Sequence, residues 1–214
     1  MIVGMILKVD MGHGVIANPG ADTESSVAAA RPDIPGYRAM WVGICLEFIE
    51  FAVFFVVYFT ARWHHPQEFR EGAHRLWTWG GVGITAAMVT SGWLLTRMLA
   101  AMRAGRQRAA MAMLALALLA GLAYPAIKVF EWQWNLAHGL TAGAGIFVVV
   151  YWYLTINHFI HASWGLMGMA WCLARLGAGG YSAQDHRGLV ALATYWHATD
   201  LVWLMLFALF YAFA

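Results

Sequence analysis

Five apolar stretches, each long enough to cross the hydrocarbon core of a bilayer, dominate this 214-residue chain. They lie near residues 38–60, 77–98, 109–130, 144–173 and 189–213. A helix rising about 1.5 Å per residue needs roughly 20 residues to traverse about 30 Å of hydrocarbon. No water satisfies backbone groups there, so segments of this kind close their hydrogen bonds internally as helices. The sequence therefore predicts an all-α, polytopic membrane protein, a bundle of five transmembrane helices. Composition agrees: 11% of residues are charged, against about 25% in a soluble domain. Nucleic acid is excluded as a partner, because no basic stripe with interleaved aromatics is present. Cys45 and Cys172 sit inside apolar runs, where a thiol packs as a small hydrophobe, and they do not read as a metal site. The opening "MIVGMILKVD" lacks a basic leader and a small-residue cleavage pattern, so no cleaved signal peptide is expected.

Residues 1–36 read as a flexible cytoplasmic tail ahead of a membrane domain at 37–214. From Asp10 to Pro35 the tail is rich in Gly, Pro, Ser and charge, with too little apolar surface to offset the entropy of ordering. Lys and Arg are retained on the cytoplasmic side. One side carries Lys8, Arg31, Arg38, Arg97, Arg103, Arg106, Arg108, Arg175 and Arg187, whereas the other carries only Arg62, Arg70 and Arg75. The N-terminus is thus expected in the cytoplasm and the C-terminus outside. Trp63, Trp77, Trp79, Trp132 and Trp134 fall at span ends on the external side, where an indole favours the headgroup region. No internal repeat points to an inverted-repeat transporter. The external His64, His65 and His74 read as solvated.

Ionisable groups inside spans carry the functional signal, although many only join helices. "LEFIEFAVFF" sets Glu47 and Glu50 one turn apart on one face. That pair suits either a proton-handling or cation-binding site, or a hydrogen-bonded helix contact. "AIKVFEW" sets Lys128 three residues before Glu131, a spacing for a structural ion pair. "TINHFIH" places His158 and His161 one turn apart. A diiron bundle is not indicated, since no Glu-x-x-His pair lies within the spans. Haem ligation would pair His197 with His158 or His161 from a facing helix. In "YWHATDLVW", His197 and Asp200 are one turn apart, so the carboxylate can accept from the imidazole or from another span. The glycines of "GGVG" and "GLTAGAG" match no phosphate loop and read as places of close helix approach.

Taken together, these motifs resemble subunit III of the haem-copper oxidases, over about residues 36–214. "YWHATDLVWLMLFALFY" resembles that family's last-helix signature, with Trp196, His197, Asp200 and Trp203 in matching positions. "HFIH" resembles its paired-histidine helix, whereas Ile156, Asn157 and Phe159 depart from the family's usual Gly, Phe and Gly. Glu47 precedes Phe54 and Phe55 at the spacing of the family's membrane glutamate and Phe pair, and Glu50 is extra. Thr85 with Ser91-Gly92, and "KVFEW", fall at the corresponding family spacings.

The resemblance implies a non-catalytic accessory subunit of a respiratory terminal oxidase reducing oxygen to water, in a bacterial plasma membrane. It implies no cofactor in this chain, with haem and copper in the partner subunits I and II, and it implies bound phospholipids. It marks Glu47, with Glu50 beside it, as a proton-linked or lipid-facing acid. Lys128, Glu131, His158, His161, His197, Asp200 and Trp203 become structural polar groups. The family's full-length form has seven helices, and this chain resembles the five-helix form. That form is shared with accessory proteins of nitric oxide reductase, which remain an alternative. A dihaem cytochrome b-like electron carrier is a second alternative.

Overall fold

The computed structural model describes residues 35–141 and 143–212. The expected tail lies outside the described residues except for its last two positions. Among the described residues six helices follow in order: α1 (Arg38–His64), α2 (Pro66–His74), α3 (Thr78–Arg103), α4 (Gln107–Ala137), α5 (Ile146–Gly177) and α6 (Arg187–Phe207). A wider π turn, Ala208–Ala212, continues α6. All but α2 are long and apolar enough to cross a membrane. Even α6, with 21 residues before its π turn, extends about 32 Å at 1.5 Å per residue and matches the hydrocarbon core. The protein is a multi-pass membrane protein.

The five long helices begin within two residues of the expected spans; α1, α3 and α5 run about one turn further at the C-terminal end and α4 about two, whereas α6 gives way to the π turn at Ala208. The short α2 was not foreseen. Its Pro at the first helical position suits a helix start. It buries Phe69, Gly72 and Ala73 on one side and exposes Glu68, Arg70, Glu71 and His74 on the other. Nine residues are too few for a span and too charged for hydrocarbon, so they form a helix that caps the bundle edge. Gly72 meets the ring of Phe147 so closely that a Cβ would collide with it.

Three helices stop by the same device. Gly105, Gly139 and Gly179 take positive φ values of 69°, 78° and 76° just past α3, α4 and α5. In each case the following amide reaches back to close the helix: Arg106 to Ala101, Leu140 to Asn135 and Gly180 to Arg175, at 2.9 Å each. That is the Schellman closure, in which a residue without Cβ satisfies carbonyls the helix leaves open.

The α3–α4 pair is the most extensive helix contact, and α6 sits against α3 and α5. The helix α6 is the most buried span and α1, which leans on α5 and α6, the least. Small residues set the distances between helices, as expected for membrane packing. A Cβ on Gly92 would lie 2.7 Å from Asp200 Oδ2, and one on Gly121 would lie 2.8 Å from Leu166 Cδ2. Gly81 faces the Tyr211 ring in the same manner. Of the "GGVG" glycines Gly81 is the close-approach point between elements, whereas Gly80 meets Trp77 of its own chain segment and Gly83 makes only an ordinary contact with Ile127; Gly143 of "GLTAGAG" has nothing within 4 Å of a Cβ. Pro125 lies inside the continuous α4 and removes one backbone donor from its ladder.

Candidate functional site

The buried polar residues of α1, α4, α5 and α6 form three connected groups. The first joins α1 to α5. His161 Nε2 lies 3.1 Å from Glu50 Oε2, while its Nδ1 lies 3.8 Å from Glu47 Oε2. The imidazole thus stands between two carboxylates that the sequence placed on one face of α1. Glu47 is 1% exposed, and Thr199 of α6 donates a long hydrogen bond of 3.5 Å to its Oε2. Its second oxygen, Oε1, is buried without a hydrogen-bond partner. Glu50 sits at the rim, its side chain 38% exposed. One acid is enclosed and the other faces out, with a histidine linking them.

The second group joins α4, α5 and α6. Tyr124 Oη is 2.9 Å from His158 Nδ1, and His158 Nε2 is 3.2 Å from the Thr199 carbonyl. A carbonyl only accepts, so Nε2 carries the hydrogen and Nδ1 accepts from the tyrosine. Both ring nitrogens of His158 are committed, an arrangement that does not fit axial ligation of a haem. Thr199 links the two groups, since its hydroxyl serves Glu47 and its carbonyl serves His158.

The third group surrounds Lys128 and Glu131 on α4. Lys128 Nζ is 3.0 Å from Glu131 Oε2, and both side chains are fully buried. Tyr151 of α5 donates to Glu131 Oε1 at 2.6 Å, and Tyr211 of the π turn donates to the same oxygen. Lys128 also donates to Tyr211 at 3.2 Å and lies 4.8 Å from the Trp203 ring centroid. Asn135 donates to Tyr151 at 3.1 Å. Each charge has several partners, which is what makes a buried pair tolerable in a low dielectric. Trp203 in turn donates to Thr85 at 3.0 Å, tying α6 to α3.

His197 and Asp200 differ from expectation. Their closest approach, His197 Nδ1 to Asp200 Oδ2, is 3.9 Å, too long for a hydrogen bond. The imidazole is turned toward Thr96 of α3, with Nε2 3.4 Å from its hydroxyl. Asp200 packs over Gly92, and its Oδ1 is buried without a hydrogen-bond partner. Neighbours one turn apart share a face, but here each turns toward α3 instead of toward the other.

Among the described residues, no three His, Cys, Asp or Glu side chains are grouped as a metal ion would require. Sequence reasoning missed Tyr124, Asn135, Tyr151, Thr199 and Tyr211. A signal was available for two of them: Tyr124, Lys128, Glu131 and Asn135 recur every three or four residues, a polar stripe along one face of α4.

A model of the family described as "Cytochrome c oxidase subunit III" matches residues 36–214, every span of the bundle. The chain belongs to the cytochrome c oxidase subunit III family. Relatives within the haem-copper oxidases include cytochrome c oxidase subunit 3 of Prototheca wickerhamii, 27% identical over 79% of this chain and 67% of that protein. Heme-copper oxidase subunit I+III of Aeropyrum pernix is 26% identical over 84% of this chain and 24% of that protein. Cytochrome bo(3) ubiquinol oxidase subunit 3 of Pseudomonas aeruginosa is 28% identical over 50% of this chain and 51% of that protein. This chain thus spans about half the length of the Pseudomonas subunit III and about a quarter of the Aeropyrum protein. All three groups of polar side chains fall inside the region matched to subunit III.

Proposed function

We propose that this chain is a non-catalytic accessory subunit of a bacterial respiratory haem-copper oxidase that reduces oxygen to water. It packs against the catalytic subunit, holds phospholipid and supports proton uptake. The observation that carries this reading is the unbroken match to subunit III across residues 36–214. The subunit I+III name of the Aeropyrum relative supports a catalytic subunit I as the partner. Oxidase names among the relatives favour this reading over an accessory role beside nitric oxide reductase. The domain at 37–214 lies in the plasma membrane, with the 1–36 tail in the cytoplasm and the C-terminus outside.

The chain's own chemistry in that role is proton handling and helix clamping. Haem and copper in the partner supply the redox chemistry. Glu47 and Glu50, joined by His161, give two carboxyl groups in hydrogen-bond or near-contact range of one imidazole, one enclosed and one at the rim. A proton placed on His161 faces both carboxylates, at 3.1 and 3.8 Å. The remaining groups, Lys128, Glu131, His158, His197, Asp200 and Trp203, hold the bundle that presents them. The test is Glu47→Gln in the assembled oxidase. The initial rate stays near wild type while activity decays several-fold faster during sustained turnover. Equal durability would refute a proton-uptake role for Glu47.

A further inference from the structure

A carboxylate and a carboxamide in the middle of membrane spans carry more hydrogen-bonding atoms than one neighbour each can satisfy. Glu50 lies twelve residues from Arg38 and fourteen from His64 on α1, about 18 and 21 Å from the two helix ends at 1.5 Å per residue. Headgroups and bulk water stop short of that depth. Glu50 Oε2 faces His161 at 3.1 Å. Its Oε1 has no hydrogen-bond partner among the described residues, and the side chain is 38% exposed. Asn157, eleven residues into α5, donates through Nδ2 to the Tyr153 carbonyl at 2.7 Å. A carbonyl only accepts, so the atom facing it is the amide nitrogen, and Oδ1 is the acceptor left without a donor among the described residues.

Both acceptors lie on one seam. The helices α1 and α5 run antiparallel there, since Glu50 meets His161 while Phe54, one turn on, meets Tyr153 with ring centroids 4.9 Å apart. Asn157 is four residues from both Tyr153 and His161 and so falls beside the Glu50–Phe54 turn. Val53 of α1 and Ile160 and Trp164 of α5 surround them and are all exposed, Trp164 at 64%. Trp164 follows His161 by three residues and shares its face. It therefore stands uncovered near mid-span, away from the headgroup region that an exposed indole favours. A large aromatic beside unpaired polar groups is what a protein interface presents. Glu50 and Asn157 both depart from the pattern shared with subunit III, so this surface is the chain's own and not general to the family.

We propose that the α1–α5 seam docks a transmembrane helix of another subunit, one that presents a hydroxyl, amide or ammonium donor at mid-depth to Glu50 Oε1 and Asn157 Oδ1. Two acceptors, one of them acidic, select a donor, and hydrogen bonds of this kind join helices where water is absent. An acyl chain offers no donor. A second copy of this chain related by a two-fold axis would set acceptor against acceptor. Trp164 packs on the apolar side of the incoming helix. The inference rests on the reading of the chain as a subunit of a larger complex and deepens it by assigning the docking face and the chemistry of the partner helix.

The test places the photo-crosslinking residue p-benzoylphenylalanine at Val53 or Ile160 of the full chain, with Leu119 and Trp93 as positions exposed on α4 and α3. Native membranes are irradiated and the adducts identified by mass spectrometry. Val53 and Ile160 crosslink to one transmembrane segment of another subunit, within a turn of a residue that carries a hydroxyl, amide or ammonium group. Asn157→Leu, which leaves the Glu50–His161 contact in place, lowers the yield about three- to ten-fold, the worth of one hydrogen bond between membrane helices. Asn157→Gln, which keeps an acceptor, restores most of it. Adducts with lipid alone, or with a second copy of this chain, would overturn the proposal. So would a partner segment without a donor, or a yield unchanged by Asn157→Leu. Oxidase subunits crosslinked from Leu119 or Trp93 and not from the seam would overturn this docking face while leaving the accessory-subunit reading intact. Crosslinks from the seam to a complex that is not an oxidase would do the reverse.

Discussion

His161 Nε2 lies 3.1 Å from Glu50 Oε2, bridging from α5 to α1. Because α1 is the least buried span, this contact is one of the polar ties that hold it to the bundle. The bridging depends on the second ring nitrogen as well, which approaches Glu47 at 3.8 Å. His161→Phe keeps a ring against Phe51 but leaves Glu47 with only its long contact from Thr199. The loss is expected at about 1–3 kcal/mol, the cost of stranding a buried polar group. Glu50→Gln retains an acceptor for His161 and is expected to cost less. Thermal unfolding in detergent measures both, and equal melting of the two variants would contradict the bridging role.

The Lys128–Glu131 pair is enclosed on every side. Lys128→Met leaves a buried carboxylate with two tyrosine donors and no cation, a change expected to cost about 3–5 kcal/mol. Glu131→Gln strands the ammonium in the same way. The double variant Lys128→Met/Glu131→Gln is expected to lose less than the sum of the single losses, since neither charge remains. Additive losses in the same unfolding assay would mean that the two groups act independently.

Glycine substitutions separate packing from helix propensity. A Cβ at Gly165 would come within 2.7 Å of the Trp196 ring, which is itself fully buried. Gly165→Ala is therefore expected to destabilise by about 1–3 kcal/mol through overpacking. Nothing lies within 4 Å of a Cβ at Gly43. Gly43→Ala is expected to be neutral or to stabilise by up to about 1 kcal/mol, because alanine is the better helix former. Melting temperatures that fall equally in both would rule out the close α5–α6 approach.

Trp203 serves three neighbours: it donates to Thr85, stacks near Lys128 and packs on Tyr124. Trp203→Phe keeps the apolar bulk and removes the indole N–H. The expected loss is about 1–2 kcal/mol from the hydrogen bond and the weaker cation–π contact. A variant as stable as wild type would place the α3–α6 tie elsewhere.

Most of the architecture could be read from the sequence, because hydrocarbon thickness fixes span length and leaves few alternatives. The Lys128–Glu131 pair was legible for a similar reason, since a spacing of three on a helix fixes proximity. Glu47 and Glu50 were placed on one face correctly, but nothing local to α1 reveals that a histidine 111 residues later joins them. Spacing also misled at His197 and Asp200: a shared face permits contact without requiring it, and the packing of α6 on Gly92 of α3 decided otherwise. The short α2 escaped notice because its apolar positions are few and its charges resemble those of a loop.

Accessory subunit membership is tested most directly by identifying what copurifies with the tagged full-length chain from native membranes in mild detergent. An oxidase subunit III brings down a haem-copper catalytic subunit together with its copper-bearing companion, in stoichiometric amounts by mass spectrometry. Recovery of nitric oxide reductase subunits instead, or of the chain alone, would contradict the central claim.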